Sequence, residues 1–151
     1  MIQGKWFAPG EDLSAEVLPL RTEVFGDPGS AVDPEGWNTL VYLDGQPAAS
    51  GRIWWEDGAF WLGRVGVVPP LRGRRLGDLA LRLLLFKAQS HAAHEVRLRC
   101  GEDTEGFFAR LGFRPVRRES GTVEMMIPGN EISLDSCAGC RKQGCPNRKE
   151  P

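Results

Sequence analysis

Two Asp-Gly dipeptides, Asp44-Gly45 and Asp57-Gly58, constrain this chain more than any other feature. Each stands between runs rich in β-branched, aromatic and other apolar residues. Thr39 to Leu43 precedes the first, Ala48 to Trp55 lies between them, and Phe60 to Val67 follows the second. Asp-Gly supplies two consecutive residues that tolerate positive φ, which is what a two-residue hairpin turn requires. Three antiparallel strands in a meander are therefore predicted. A sheet seeded in this way has two faces to cover, and the rest of the chain must supply the cover.

Pro69-Pro70 ends the third of these strands. Leu76 to Ser90 then reads as a helix, because Leu76, Leu79, Ala80, Leu83 and Phe86 recur at helical spacing. Ahead of the meander, Ile2 to Phe7 alternates weakly as a first strand. Ser14 is placed to cap a helix running to about Phe25, with Pro19 either kinking it or marking a second start. Gly26 to Gly36 is rich in Gly, Pro and Asp and reads as a loop. Beyond the long helix, Val96 to Cys100 is a short strand. Thr104 caps a predicted helix that runs to Leu111 and is ended by Gly112. Val116 and Val123 to Ile127 suggest two last strands. The order β-α-β-β-β-α-β-α-β-β describes an α/β (α+β) fold, one mixed sheet with helices on its faces. Residues 1–128 make this domain. Residues 129–151 hold little apolar content beyond Ile132 and Leu134 and read as a Cys-containing tail.

Composition narrows the function. The chain of 151 residues is 41% apolar and 26% charged with a net charge of −1, so no global field points to nucleic acid or to an anionic membrane. No apolar run approaches the roughly 20 residues that span a bilayer. Met1 to Gly10 lacks the apolar core of a signal peptide, and a cytoplasmic setting is the expectation.

The chemistry concentrates where the third meander strand meets the long helix. From Val65 to Gly77 a strand ends, a turn with Arg72, Gly73, Arg74 and Arg75 follows, and a helix opens at Leu76. Helix N-termini leave backbone N–H groups free and carry partial positive charge. Gly73 and Gly77 let the backbone approach a ligand closely. The arginines add full charges that Asp78 alone does not cancel. Together these make a site suited to a pyrophosphate; the plain alternative is a solvated basic loop.

Arg72-Gly73-Arg74-Arg75-Leu76-Gly77 resembles the acetyl-coenzyme A signature of the GCN5-related N-acetyltransferases, the GNAT family: (Arg or Gln)-x-x-Gly-x-(Gly or Ala). Arg75 stands where that pattern has its first glycine, so its backbone must behave as glycine would or the loop is remodelled. Phe107-Phe108-Ala109-Arg110-Leu111-Gly112-Phe113 resembles the family's Phe-Tyr-x-(Lys/Arg)-x-Gly-Phe block. Arg21, Val24 and Phe25 resemble an Arg-x-x-Val-Phe element of a bacterial branch. The resemblance covers about Ile2 to Ile127.

It implies an N-acetyltransferase in which an amine, on a small molecule or a protein, attacks the thioester of acetyl-coenzyme A directly. Val65, Val67, Arg72, Gly73, Arg74, Arg75, Leu76, Gly77 and Phe108 would contact the coenzyme. The Val67 backbone N–H would stabilise the oxyanion, and Gly66 would mark the bulge that opens the strands. The family's usual acid, a tyrosine, is replaced by Phe108. Tyr42 and Cys100 are the alternatives for that role, and Cys100 also reads as a buried structural thiol. For a general base the residues offer Glu23, Glu56 and Glu102, each equally readable as a surface carboxylate; the family's strand glutamate falls near Gly63. The family often dimerises, so a homodimer is admitted. The rival reading is an acyl-coenzyme A-binding module without turnover, with the cysteine tail as a metal- or redox-responsive switch.

Trp54 and Trp55, with Trp37 and Trp61 near them, suggest either an aromatic acceptor pocket or core packing. His91 and His94 follow the long helix as metal or proton ligands, or as ordinary helix-end residues. Cys137, Cys140 and Cys145 carry a C-x2-C spacing with a third thiol, consistent with zinc, an iron–sulfur cluster, a redox disulfide or an inert tail.

Overall fold

The computed structural model describes residues 1–29 and 36–134. Among these the chain forms seven strands and three α-helices: β1 (Ile2–Phe7), α1 (Val17–Phe25), β2 (Gly36–Leu43), β3 (Gln46–Glu56), β4 (Ala59–Val67), α2 (Leu76–Ser90), β5 (Glu95–Gly101), α3 (Glu105–Ala109), β6 (Arg114–Glu119) and β7 (Thr122–Pro128). The strands lie in the order β1-β2-β3-β4-β5-β7-β6. Every neighbouring pair is antiparallel except β4 and β5, which run parallel. Both Asp-Gly turns are tight hairpins, with Asp44 and Asp57 at φ 51° and their glycines also positive.

The sheet separates two layers. Leu40 and Val68 face α1 and pack with Leu13, Val17 and Leu20. Val41, Ala49 and Val67 face α2, against Leu76 and Ala80. Farther along α2, Leu81, Leu84 and Leu85 join Ile53, Leu62, Val96, Leu98, Phe107 and Met125 in the largest core cluster. Burying a side chain of this size contributes about 1.5–3 kcal/mol, so this layer anchors the domain.

Some expectations change. The buried stripe of α2 is Leu76, Gly77, Ala80, Leu81, Leu84, Leu85 and Ala88, while Phe86 is 55% exposed. The helix carries so many leucines that spacing alone does not choose between adjacent stripes. Ser14 does not cap α1. Its N–H bonds Asp12 Oδ1 at 2.9 Å, and the helix begins at Val17, with Pro19 in its first turn, where a missing N–H costs nothing. β6 is exposed along its whole length, so its burial leaves no periodic trace in the sequence. Beyond β7 the chain stays on the body: Ile132 is buried, and the carbonyls of Ile132 and Leu134 accept hydrogen bonds from Gln89 and Arg82 of α2.

Candidate active site

β4 and β5 pair only over Phe60–Leu62 and Val96–Leu98. Beyond Leu62 they part, and a cavity of about 310 Å³ opens between them. Gly63, Arg64 and Val65 of β4 line one side, and Leu98, Arg99 and Cys100 of β5 line the other. Phe25 of α1, Arg72 of the loop and Phe108 of α3 complete the rim.

The cause of the parting is a β-bulge. The β3–β4 register slips by one residue between the Ser50–Gly66 and Arg52–Gly63 pairs, so β4 carries an extra residue there. Arg64 takes the strained position at φ 53°. Ser50 Oγ donates to the Arg64 carbonyl at 2.7 Å, and the Arg64 guanidinium pairs with Asp27 at 2.9 Å and lies over the Phe25 ring. The bulge therefore falls at Arg64, not at the predicted Gly66. Gly66 has a different duty. A Cβ there would stand 2.6 Å from Val24 and 2.8 Å from Phe25, so the glycine lets α1 lie against the strand.

The bulge also resets the alternation of side chains. Leu62 faces α2 before it, and Val65 and Val67 face α2 after it. The Val68 N–H donates to the Ala48 carbonyl at 2.9 Å, so the next pair, Ala49–Val67, is a non-hydrogen-bonded one. The Val67 N–H and C=O consequently point away from β3, toward the edge that β5 has left. Arg72 Nε donates to that Val67 carbonyl at 3.1 Å, which folds the loop back on the strand.

The loop meets α2 as a phosphate-cradling turn would. Gly73 is at φ 86° with open space around it. Arg75 holds φ 64° and ψ 19° and caps the helix, so an arginine does adopt the conformation that the glycine of the family pattern would supply. That costs about 1–2 kcal/mol for a non-glycine residue. The first intrahelical bond runs from the Leu79 N–H to the Arg75 carbonyl at 3.1 Å, so the helix mouth is the turn that opens at Leu76. Asp78 turns back along the helix to Arg82 at 2.8 Å, so its charge leans away from that mouth.

Of the sequence-predicted coenzyme contacts, Val65, Arg72 and Phe108 line the cavity itself. Val67, Gly73, Arg74, Arg75, Leu76 and Gly77 do not line it: Val67, Leu76 and Gly77 are buried where β4 meets α2, and Gly73, Arg74 and Arg75 are exposed on the loop between them. Phe108 is 5% exposed and edge-packed on Phe107 and Phe113. Cys100 lines the cavity half-buried, and burial first, then the charges of Glu105 and Asp103, push its thiol above the ordinary range. Tyr42 is elsewhere: its hydroxyl bonds Glu16 beside α1, and desolvation followed by that carboxylate raises its pKa strongly. Glu23, Glu56 and Glu102 are exposed and do not line the cavity. Among the described lining residues there is no carboxylate; the charged ones are Arg64, Arg72 and Arg99.

The tryptophans divide between layers instead of forming one pocket. Trp6 and Trp37 meet edge-on under Lys87, Trp54 is stacked by Arg52, and Trp55 sits against Phe60. His91 packs on Phe60 at the end of α2, and the His94 carbonyl accepts the Gly129 N–H. Cys137, Cys140 and Cys145 lie outside the described residues. Among the described residues no group of three or more His, Cys, Asp or Glu side chains is placed to hold a metal ion. No helix among them is long and apolar enough to cross a membrane.

A mixed sheet parted between its two parallel strands, with the first turn of a helix beside the parting, has the architecture of acyl-coenzyme A-dependent N-acyltransferases. Residues 6–113 match the acetyltransferase (GNAT) family, and the chain belongs to it. It is an N-acyltransferase whose family uses acetyl-coenzyme A. Escherichia coli ElaA has the same fold, with 22% identity over 83% of this chain and 99% of that chain and a TM-score of 0.68. An acyl-CoA N-acyltransferase from Pseudomonas aeruginosa is 21% identical over 83% of this chain and 99% of its own, with a TM-score of 0.67. A GNAT family acetyltransferase from Elizabethkingia anophelis, solved with acetyl-CoA bound, is 12% identical over 84% of this chain and 97% of its own, with a TM-score of 0.67. A search of curated proteins finds no match.

Proposed function

We propose that the parting of β4 from β5 is the transfer site, and that its residues move an acetyl group from acetyl-coenzyme A to the amine of a small molecule or a protein. The observation that carries this reading is the stretch of β4 from the Arg64 bulge to Val67, where the strand edge is turned toward an opening and not toward a neighbour.

The residues divide the work. The first-turn N–H groups of α2 and the guanidiniums of Arg72, Arg74 and Arg75 hold the diphosphate. Val65 and Val67 lie along the pantetheine arm, whose amides replace the missing β5 pairing. The Val67 N–H donates to the thioester oxygen as negative charge develops there. The acceptor nitrogen forms its bond to the acetyl carbon, the carbon–sulfur bond breaks, and the coenzyme departs as a thiolate, a fair leaving group without an acid. Phe108 fills the acid's position without a proton to give, so solvent protonates the thiolate.

The proton on the acceptor nitrogen also has an explanation. The described lining offers no carboxylate base, so the acceptor reacts as its neutral amine and water accepts the proton.

Two measurements test the assignment. Acetyl-coenzyme A is expected to raise the melting temperature, and free thiol is expected to be released when amines are added. No thermal shift with wild type, together with unchanged behaviour of Arg72→Ala and Gly77→Glu, overturns it.

A further inference from the structure

Val24 and Phe25 of α1 line the cleft, and Arg21 stands one turn before them on the same helix. Spacings of three and four residues put all three on one helix face. That face lies on the sheet, and Gly66 offers no Cβ to keep Val24 away from it. Arg21 is only 3% exposed, a rare setting for a guanidinium.

The bonds of Arg21 reach two strands. Its Nη2 donates to Asn38 Oδ1 of β2 at 2.6 Å and to the Gly51 carbonyl of β3 at 3.4 Å. Gly51 is the β3 residue between the Ser50–Gly66 and Arg52–Gly63 pairs, so it stands opposite the extra residue of β4. Arg21 therefore grips the bulge from behind. Asn38 is fully buried, and its Nδ2 has no hydrogen-bond partner among the described residues. An idle buried donor is costly, so what this asparagine contributes is the oxygen that receives Arg21. A second tie runs the other way. Arg64 of β4 reaches back to Asp27 at 2.9 Å, across the Phe25 ring. Two guanidiniums thus cross between α1 and the bulge, one from helix to sheet and one from sheet to helix end.

We infer that Arg21 is a positioning residue for the transfer reaction: by tying α1 to the bulge, it sets the distance between the Val24–Phe25 wall and the β4 edge that takes the thioester. This rests on the acetyltransferase reading above. An apolar side chain of that size would fill the volume and still slide, whereas a planar fork bonded to two strands fixes one position. Transfer is sensitive to displacements of about 1 Å at the reacting atoms, so a wall held by packing alone is expected to slow it. Val67 and the loop are fixed separately, by the pairing with Ala49 and by the Arg72 bond, so coenzyme binding should not follow.

The test compares wild type with Arg21→Met, with Arg21→Met combined with Asn38→Leu, and with Arg21→Lys. The double substitution removes both polar partners and leaves no orphaned oxygen at residue 38, so it is expected to melt above Arg21→Met. Three quantities are read: the Kd for acetyl-coenzyme A, kcat for thiol release with a panel of primary amines, and iodoacetamide alkylation of Cys100, followed at its own peptide by mass spectrometry. Cys100 lines the cleft on β5, so it reports the α1 wall without an acceptor. In the double variant alkylation is expected to run about tenfold faster and kcat to fall about tenfold, with the Kd held within about twofold. Arg21→Lys keeps a donor and should lie between the double variant and wild type. Alkylation or kcat returning to wild-type values along with the regained stability would reduce Arg21 to packing and overturn the inference. An equal loss of acetyl-coenzyme A affinity would overturn it too, because the wall would then not be separable from the coenzyme edge. Where no amine of the panel is turned over, the alkylation rates decide. Wild type that binds no acetyl-coenzyme A would overturn the underlying assignment instead, whatever those rates are.

Discussion

Strand β4 is one stretch of backbone that behaves in two ways. From Ala59 to Leu62 it is an interior strand: β3 and β5 bond both edges, and Trp61 and Leu62 are buried. From Gly63 to Val67 it keeps its antiparallel partner and loses the parallel one. Composition does not explain the difference, since Val65 and Val67 are as strand-forming as anything before them. The change comes from one inserted residue. Arg64 at positive φ turns the strand, Ser50 and Asp27 fix the turn, and β5, bonded to β7 on its other side, does not follow. A sheet interior can thus be opened by withholding one partner, which leaves a cavity beside the strand edge.

Substitutions on the two halves should therefore have different signatures. The largest effect is expected from Gly66→Ala. Its Cβ would meet Val24 at 2.6 Å, so α1 must move off the open half, at a cost of about 3 kcal/mol read from the urea midpoint. Activity should fall with it, because Phe25 rims the cleft. In the zipped half, Val96→Ala should cost about 2 kcal/mol by cavity formation, with the KM for acetyl-coenzyme A unchanged. If that KM changed too, the two halves would not be separable. Arg72→Ala should reverse the pattern, with little loss of stability and about a tenfold rise in that KM, equivalent to about 1.4 kcal/mol.

Smaller effects sharpen the cause. Ser50→Ala removes the bond to the Arg64 carbonyl and should cost about 1 kcal/mol, with part of the loss appearing in turnover if the bulge relaxes. Cys100 probes the cleft wall. Burial raises its pKa, so at pH 8 less of it is thiolate than of an ordinary thiol. Alkylation by iodoacetamide should be several-fold slower than that of a free thiol, should accelerate as the pH rises past the usual thiol range, and should slow further with acetyl-coenzyme A present. Fast, coenzyme-independent alkylation would place Cys100 outside the cleft.

Much of this was legible beforehand. Asp44-Gly45 and Asp57-Gly58 announced the meander because a type I′ turn has few sequence solutions. Arg72 to Gly77 announced the loop because charge and backbone freedom were concentrated in adjacent positions. Phe107 to Phe113 marked the packing of α3. The bulge was not legible: Gly63 and Gly66 flank it and invite a glycine assignment, yet the position went to Arg64 because Asp27 and Phe25, distant in sequence, hold its side chain. Nor did spacing reveal which leucine stripe of α2 is buried, since nearly every stripe is apolar.

The sequence by itself determined what is local: turns, strand and helix identities, and the arginine-rich loop whose groups are chain neighbours. Only the tertiary structure decided where β5 leaves β4 and which residues of the two strands line the cavity between them. Those features join residues separated by the whole of α2, and their contacts depend on packing, register and sidedness that no short window of residues encodes.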